Sequence, residues 1–284
     1  MLINGKPQRT VFLDDNQTIT IIDQTKLPFT LEYVALATFD DACTAIQTMQ
    51  VRGAPAIGAV AAYAMVLAVK HSGDWGHIVN AAHLVKDTRP TAVNLAWAVD
   101  KQLAALQNVS TEERLSLAWQ VAAQICEDDV LACSAIGDFG LELIQTIAAN
   151  KQNQTINILT HCNAGWLATV DWGTALAPIY KAHAKGLDIH VWVDETRPRN
   201  QGALLTAFEY TQGRSLTVER NTFFVKGLSS YAFTISVVNG VVISANLNRN
   251  VFDTQTVGTN VATKPNHIAH TVFPNPIQNH QFQI

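Results

Sequence analysis

Two short stretches of this chain place reactive side chains where a fold can use them. Thr160-His161-Cys162-Asn163-Ala164-Gly165 carries a thiol, and Asp194-Glu195-Thr196-Arg197-Pro198 carries two carboxylates and an arginine. Each follows a run with the character of a buried strand and precedes a segment of helical period. Each is therefore expected at the carboxyl end of a strand, where open α/β sheets bind their ligands. A thiol on such a turn, close to a helix start, is a usable acid, base or nucleophile. On local grounds alone Cys162 is equally well a small buried residue. His161 should point away from Cys162 on extended backbone, so the two are not read as a dyad and His161 is taken as structural. Residues 194–203 also hold Arg199, Asn200 and Gln201. Either these charges pair among themselves in a loop, or Gln201 and one arginine bind sugar hydroxyls or phosphate.

Two further arginines stand just before helical segments. In Val51-Arg52-Gly53-Ala54-Pro55-Ala56-Ile57-Gly58, small residues and a proline in the first turn leave backbone N–H groups uncovered beside Arg52, a combination that suits a phosphate. An ordinary loop-to-helix junction with a surface arginine has the same composition. Arg89 precedes Pro90 and Thr91, with Thr91 as the expected N-cap. Two such arginines facing one pocket mean an anionic substrate, but spacing does not show that they converge. Lys226 and Arg249 carry further positive charge with nothing to place them.

The elements that position these groups read in two grammars. Strands at 10–13 and 18–22 flank the polar turn 14–17. Helices follow, from Asp40 or Asp41 as cap to about Gln50, then over 56–69, 91–106, 112–127 and 130–149. The polar stretch 150–154 breaks the pattern. A strand at 156–159, a helix at 168–184, a strand at 189–193 and a helix at 201–210 then alternate, which argues a parallel sheet with right-handed crossovers. Over the last 64 residues only Lys226, Arg249, Asp253 and Lys264 are charged. Strand-like runs remain there at 232–238 and 241–243.

Composition bounds the function. The chain has 284 residues, 48% apolar and 15% charged, enough to build a sizeable core. Its net charge of −4 gives no general attraction to nucleic acid or to an anionic membrane. No leader-like segment opens it, and its longest apolar run, around 54–69, reads as a core helix. Cys43, Cys126, Cys133 and Cys162 form no metal-binding spacing and no disulfide framework, so free thiols and a cytoplasmic location are expected. Cys126 and Cys133, two turns apart, are read as core.

Taken in order, the Arg52, Arg89, Cys162 and Asp194 segments, with Gln201-Gly202-Ala203, resemble the methylthioribose-1-phosphate isomerase family. That family shares a superfamily with regulatory subunits of the factor that exchanges nucleotide on translation initiation factor 2. The resemblance runs from about residue 1 to Glu209, and the Arg52–Gly58 and His161–Gly165 signatures favour the isomerase branch. It implies an α/β protein in which a helical N-terminal domain with a small β element (1–128) joins a Rossmann-like parallel-sheet domain (129–284), the latter incomplete at its end. It also implies a homodimer, a small sugar phosphate as ligand, and no metal, cofactor, nucleic acid or membrane. By the family's motifs, Arg52, Gly53, Ala54, Arg89 and Gln201 match substrate-binding positions and Cys162 matches the catalytic cysteine. The implied reaction turns 5-methylthioribose 1-phosphate into the ribulose 1-phosphate of methionine salvage. Phosphate on the anomeric oxygen blocks simple ring opening, so the ring oxygen must take a proton and a hydrogen must move from C2 to C1.

The chain departs from the family's pattern near its end. Where members carry an aspartate in a Gly-Ala-Asp-Arg motif, the matching segment is Ser244-Ala245-Asn246-Leu247, which puts Asn246 at the second catalytic position. An amide is not a proton donor of the kind a carboxylic acid is, so weak or absent turnover is expected. A charge-poor tail of this kind fits a degenerate gene or a change of reading frame near 210–240. A non-catalytic sugar-phosphate-binding or regulatory relative is the alternative.

Overall fold

In the computed structural model, the described residues are 1–3, 6–151, 154–196 and 198–211. To these are added the backbones of four short strands, 216–217, 222–225, 245–246 and 251–254. The chain begins with β1 (Leu2–Ile3) and β2 (Lys6–Pro7), followed by an antiparallel sheet of β3 (Val11–Leu13), β4 (Ile19–Ile22) and β5 (Tyr33–Leu36). Every residue of β4 is buried, because the strand lies between helices on one side and the second half of the chain on the other.

Five helices come next: α1 (Phe39–Gln47), α2 (Ala54–His71), α3 (Trp75–Thr88), α4 (Val93–Leu106) and α5 (Thr111–Asn150). The cap of α1 is Thr38, not Asp40 or Asp41. Thr38 Oγ1 accepts from the Asp41 N–H at 3.2 Å while Asp41 Oδ2 accepts from the Thr38 N–H at 2.8 Å. α2 is enclosed from Ala56 to Val69, and its alanines let α4 and α5 approach closely. By length and composition α2 and α5 could each cross a membrane, but 78% of the α2 window lies inside the fold.

Three expectations are corrected here. α3 was not expected, although Asp74 caps it by accepting from the His77 N–H at 2.9 Å and Ile78, Ala81, Ala82 and Val85 form its buried face. The helices expected at 112–127 and 130–149 are one helix, since Asp128 and Asp129 remain helical and find partners outside it. Lys101 Nζ reaches Asp128 at 3.2 Å, and the Val170 N–H donates to Asp129 at 2.7 Å. α4 begins at Val93 with Ala92 as its N-cap residue, so Thr91 is not the cap.

Beyond α5, β6 (Ile156–His161) and β7 (Ile189–Asp194) pair in parallel, with Ile156 opposite Ile189 and His161 opposite Asp194. Between them the expected helix 168–184 is only α6 (Ala177–Ala184), with a single 3-10 turn at Trp166–Ala168. Trp172 and Gly173 take left-handed backbone, which a helix does not admit. At Gly173 a Cβ would overlap the backbone of Gly165, so glycine is required. After β7 a π-helical turn, Gly202–Thr206, leads into α7 (Ala207–Thr211). β8 (Leu216–Thr217), β9 (Thr222–Val225), β10 (Ala245–Asn246) and β11 (Val251–Thr254) form two parallel pairs, β8 with β10 and β9 with β11. The strand-like runs expected at 232–238 and 241–243 lie outside the described residues.

The segment 166–170 joins the two halves. Ile3, Ile22 and Leu27 pack with Trp166, Leu167, Leu176, Ile179 and Leu205. Thr10 Oγ1 donates to the Trp166 carbonyl at 2.8 Å and Gln24 Nε2 to the Leu167 carbonyl at 2.7 Å. That loop forms one wall of the site.

Candidate functional site

Cys162 follows β6 directly with φ 61°, a left-handed turn that lifts its side chain out of the sheet's alternation. Its N–H donates to the Asp194 carbonyl at 3.2 Å, and Thr206 Oγ1 donates to its carbonyl at 2.6 Å. The half-buried thiol lies between two polar groups: Sγ donates to Gln201 Oε1 at 3.3 Å and accepts from Thr196 Oγ1 at 3.4 Å. His161 does not face Cys162; its Nδ1 pairs with Asp194 Oδ2 at 2.8 Å in solvent. Cys126 and Cys133 are buried on α5, as expected.

The carboxylates of 194–203 are spoken for by backbone. Glu195 accepts from the N–H groups of Thr196 (2.7 Å), Gly202 (2.7 Å) and Ala203 (2.8 Å), which caps the turn that carries Gln201. Arg199 is exposed, and Arg197 lies outside the described residues.

The start of α2 arrives from the other half. Gly53 is its N-cap residue at φ 90°, and a Cβ there would overlap the backbone of Ala168. α2 has no side-chain cap, and Ala54 and Pro55 open its first turn with small side chains. Arg52 reaches across to the thiol turn, where Nη1 donates to Asn163 Oδ1 and Nη2 to the Asn163 carbonyl at 3.1 Å. Burial holds the Arg52 guanidinium below its ordinary pKa; Cys162 and Glu209 oppose that shift electrostatically, and Arg89 adds repulsion. Hydrogen bonds thus link Arg52 through Asn163 to Glu209, beside the turn that carries Cys162, and the charge of Arg89 is felt at Arg52. Arg89 Nη1 is buried with no hydrogen-bond partner among the described residues. A buried guanidinium donor without a partner is a group that an anion would satisfy.

Glu209 on α7 was not singled out from sequence. It is buried and accepts from the Leu167 N–H (2.8 Å), Tyr180 Oη (2.9 Å) and Asn163 Nδ2 (3.1 Å). A Cβ at Gly165 would overlap its carboxylate. Burial pushes its carboxyl up to about 7, against the opposing effect of those donors and of Arg52. The available signal was a lone acid inside the apolar run Ala207-Phe208-Glu209-Tyr210.

The raised value has a consequence for stability. Between about 4.5, the ordinary carboxyl value, and about 7, the folded chain binds this proton and the unfolded chain does not. Stability then falls as pH rises through that window, by about 3 kcal/mol at 1.36 kcal/mol per pH unit. Glu209→Gln is expected to flatten this part of the curve in denaturant titrations at pH 5 and pH 8. An unchanged slope in the variant counts against the assignment.

Asn246 lies on β10 opposite Thr217 of β8, and nothing among the described residues brings it to Cys162. No group of three His, Cys, Asp or Glu among the described residues is arranged to hold a metal. A cavity of about 600 Å³ beside Lys70, His71 and His77 contains none of these site residues.

Residues 50–217 match the initiation factor 2 subunit family. Methylthioribose-1-phosphate isomerases from Methylorubrum populi and Escherichia coli O45:K1 are 54% and 55% identical over 210 and 211 residues, each match covering 74% of this chain. The chain spans 57% of the length of each of these relatives. Among solved structures, the 5-methylthioribose 1-phosphate isomerase of Pyrococcus horikoshii is similar with a TM-score of 0.65 and 35% identity, over 73% of this chain and 58% of that one. The delta subunit of translation initiation factor eIF-2B from A. fulgidus is similar with a TM-score of 0.62 and 39% identity, over 72% and 59%.

Proposed function

Since the chain belongs to the initiation factor 2 subunit family, we propose that it is an aldose–ketose isomerase that takes 5-methylthioribose 1-phosphate to 5-methylthioribulose 1-phosphate. The observation that carries the reading is Arg52 bound to Asn163 in the thiol turn, with Arg89, whose buried Nη1 has no partner among the described residues, repelling its charge. Two cations and the open start of α2 at Gly53 and Ala54 suit the phosphate. Gln201 suits the sugar hydroxyls. Cys162, half-buried between Gln201 and Thr196, is the group for moving a proton at the ring oxygen or the reacting carbons. No cofactor enters this scheme. The similarity to methylthioribose-1-phosphate isomerases supports the same substrate.

In the same reading residues 1–128 form the helical domain and 129–284 the Rossmann-like one, with α5 crossing between them, and the protein acts in the cytoplasm. A homodimer fits the exposed apolar stripe of α5 at Leu131, Ile136, Phe139, Leu143 and Ile147; light scattering at the mass of a single chain would contradict it. One sequence observation favours a second reading, a protein that binds the sugar phosphate without turning it over: Asn246 stands where the second acid is expected. Incubation of the pure chain with the aldose phosphate separates the two. Ketose formation followed by carbon NMR supports the isomerase, ligand-induced stabilisation without ketose supports the binder, and neither effect contradicts both.

A further inference from the structure

We propose that Glu209 is a positioning residue for Arg52 and acts through the side-chain amide of Asn163, an inference that rests on the sugar-phosphate reading above. An asparagine amide offers two opposite faces, one accepting and one donating, and its neighbours decide which way it sits. Asn163 Nδ2 faces Thr206 Oγ1 at 3.0 Å and Glu209 Oε2 at 3.1 Å. The Thr206 hydroxyl proton is given to the Cys162 carbonyl at 2.6 Å, so toward Asn163 the threonine is an acceptor. Above pH 7 the Glu209 carboxyl is ionised and only accepts. Both neighbours therefore hold the amide's NH2 toward themselves and leave Oδ1 for the Arg52 guanidinium. Glu209 is itself fixed by Leu167 N–H and Tyr180 Oη, and it is buried, so it touches no ligand in the site. Its effect on the anion passes through Asn163 to Arg52.

The near-isosteric change Glu209→Gln inverts one polarity. The Leu167 N–H needs an acceptor, which takes the carboxamide oxygen and turns its NH2 toward Asn163. Donor then meets donor, and Asn163 must either turn its own NH2 on Arg52 or let go of it. Tyr180→Phe serves as the control, since it removes a hydrogen bond from the same carboxylate without changing what Asn163 faces. Calorimetric titration with inorganic phosphate at pH 8, where the carboxylate is ionised, is expected to show the Kd raised about tenfold in Glu209→Gln, the loss of one charge-assisted hydrogen bond. In Tyr180→Phe it should stay within about twofold of the parent. Asn163→Ala removes the link itself and carries the test if Glu209→Gln does not fold; it should weaken phosphate about as much. Unchanged phosphate affinity in Glu209→Gln or in Asn163→Ala, or equal weakening in Tyr180→Phe, overturns the relay and leaves the sugar-phosphate reading standing. A parent chain that binds no phosphate overturns both.

Discussion

The Asn246→Asp variant is expected to convert the aldose phosphate to the ketose about 10² to 10⁴ times faster than the parent chain, the usual contribution of one general acid or base. The expectation comes from chemistry and sequence register. Removing a hydrogen from C2 and delivering one to C1 needs a second polar group beside the reacting carbons, and by the resemblance drawn from sequence Ser244-Ala245-Asn246-Leu247 is the segment expected to carry it. An amide has no proton to give at neutral pH, whereas a carboxylic acid against an apolar wall stays protonated and donates. The change from Asn to Asp swaps one NH2 for one oxygen, so packing is preserved. If the variant gains nothing while the sugar phosphate still stabilises the protein against heat, Asn246 does not belong to the site and the non-catalytic reading gains.

The second large effect falls on the thiol. In the Asn246→Asp background, Cys162→Ser is expected to reduce turnover by about 10² or more, with thermal stability little changed. A serine hydroxyl can keep both neighbours of Sγ, donating to Gln201 and accepting from Thr196. What it lacks is the greater acidity of a thiol over an alcohol. Binding by Arg52 and Arg89 is untouched, so the loss should appear in kcat and not in KM. Turnover within threefold of the Cys162 protein removes the thiol from the chemistry.

Sequence pattern carried α2, legible as a continuous apolar run, and the alternation that leads to the parallel pair β6 and β7. It failed where tertiary partners overrule local signals. Asp128-Asp129 reads as a break, yet Lys101 and Val170 satisfy those acids from outside and α5 runs on. Trp172-Gly173 reads as helix, yet the close approach of Gly173 to Gly165 needs left-handed backbone. For the site, Cys162 and Gln201 could be expected at strand ends from local grammar, but the meeting of Arg52 with Asn163 could not, because it depends on how the N-terminal helices sit against the 166–170 loop. Glu209, Asn163 and Thr206 escaped for the same reason. Their roles lie in whom they touch, and nothing in their sequence neighbours reports it.

The account rests on one spatial claim, that a phosphorylated sugar sits against Arg52 and Arg89 with Cys162 beside it. Alkylation of Cys162 by iodoacetamide, resolved by peptide mass and run with and without 5-methylthioribose 1-phosphate, tests it without requiring turnover. Strong protection of Cys162 that disappears in Arg89→Ala is the predicted result; an alkylation rate unmoved by saturating sugar phosphate in the parent chain contradicts it.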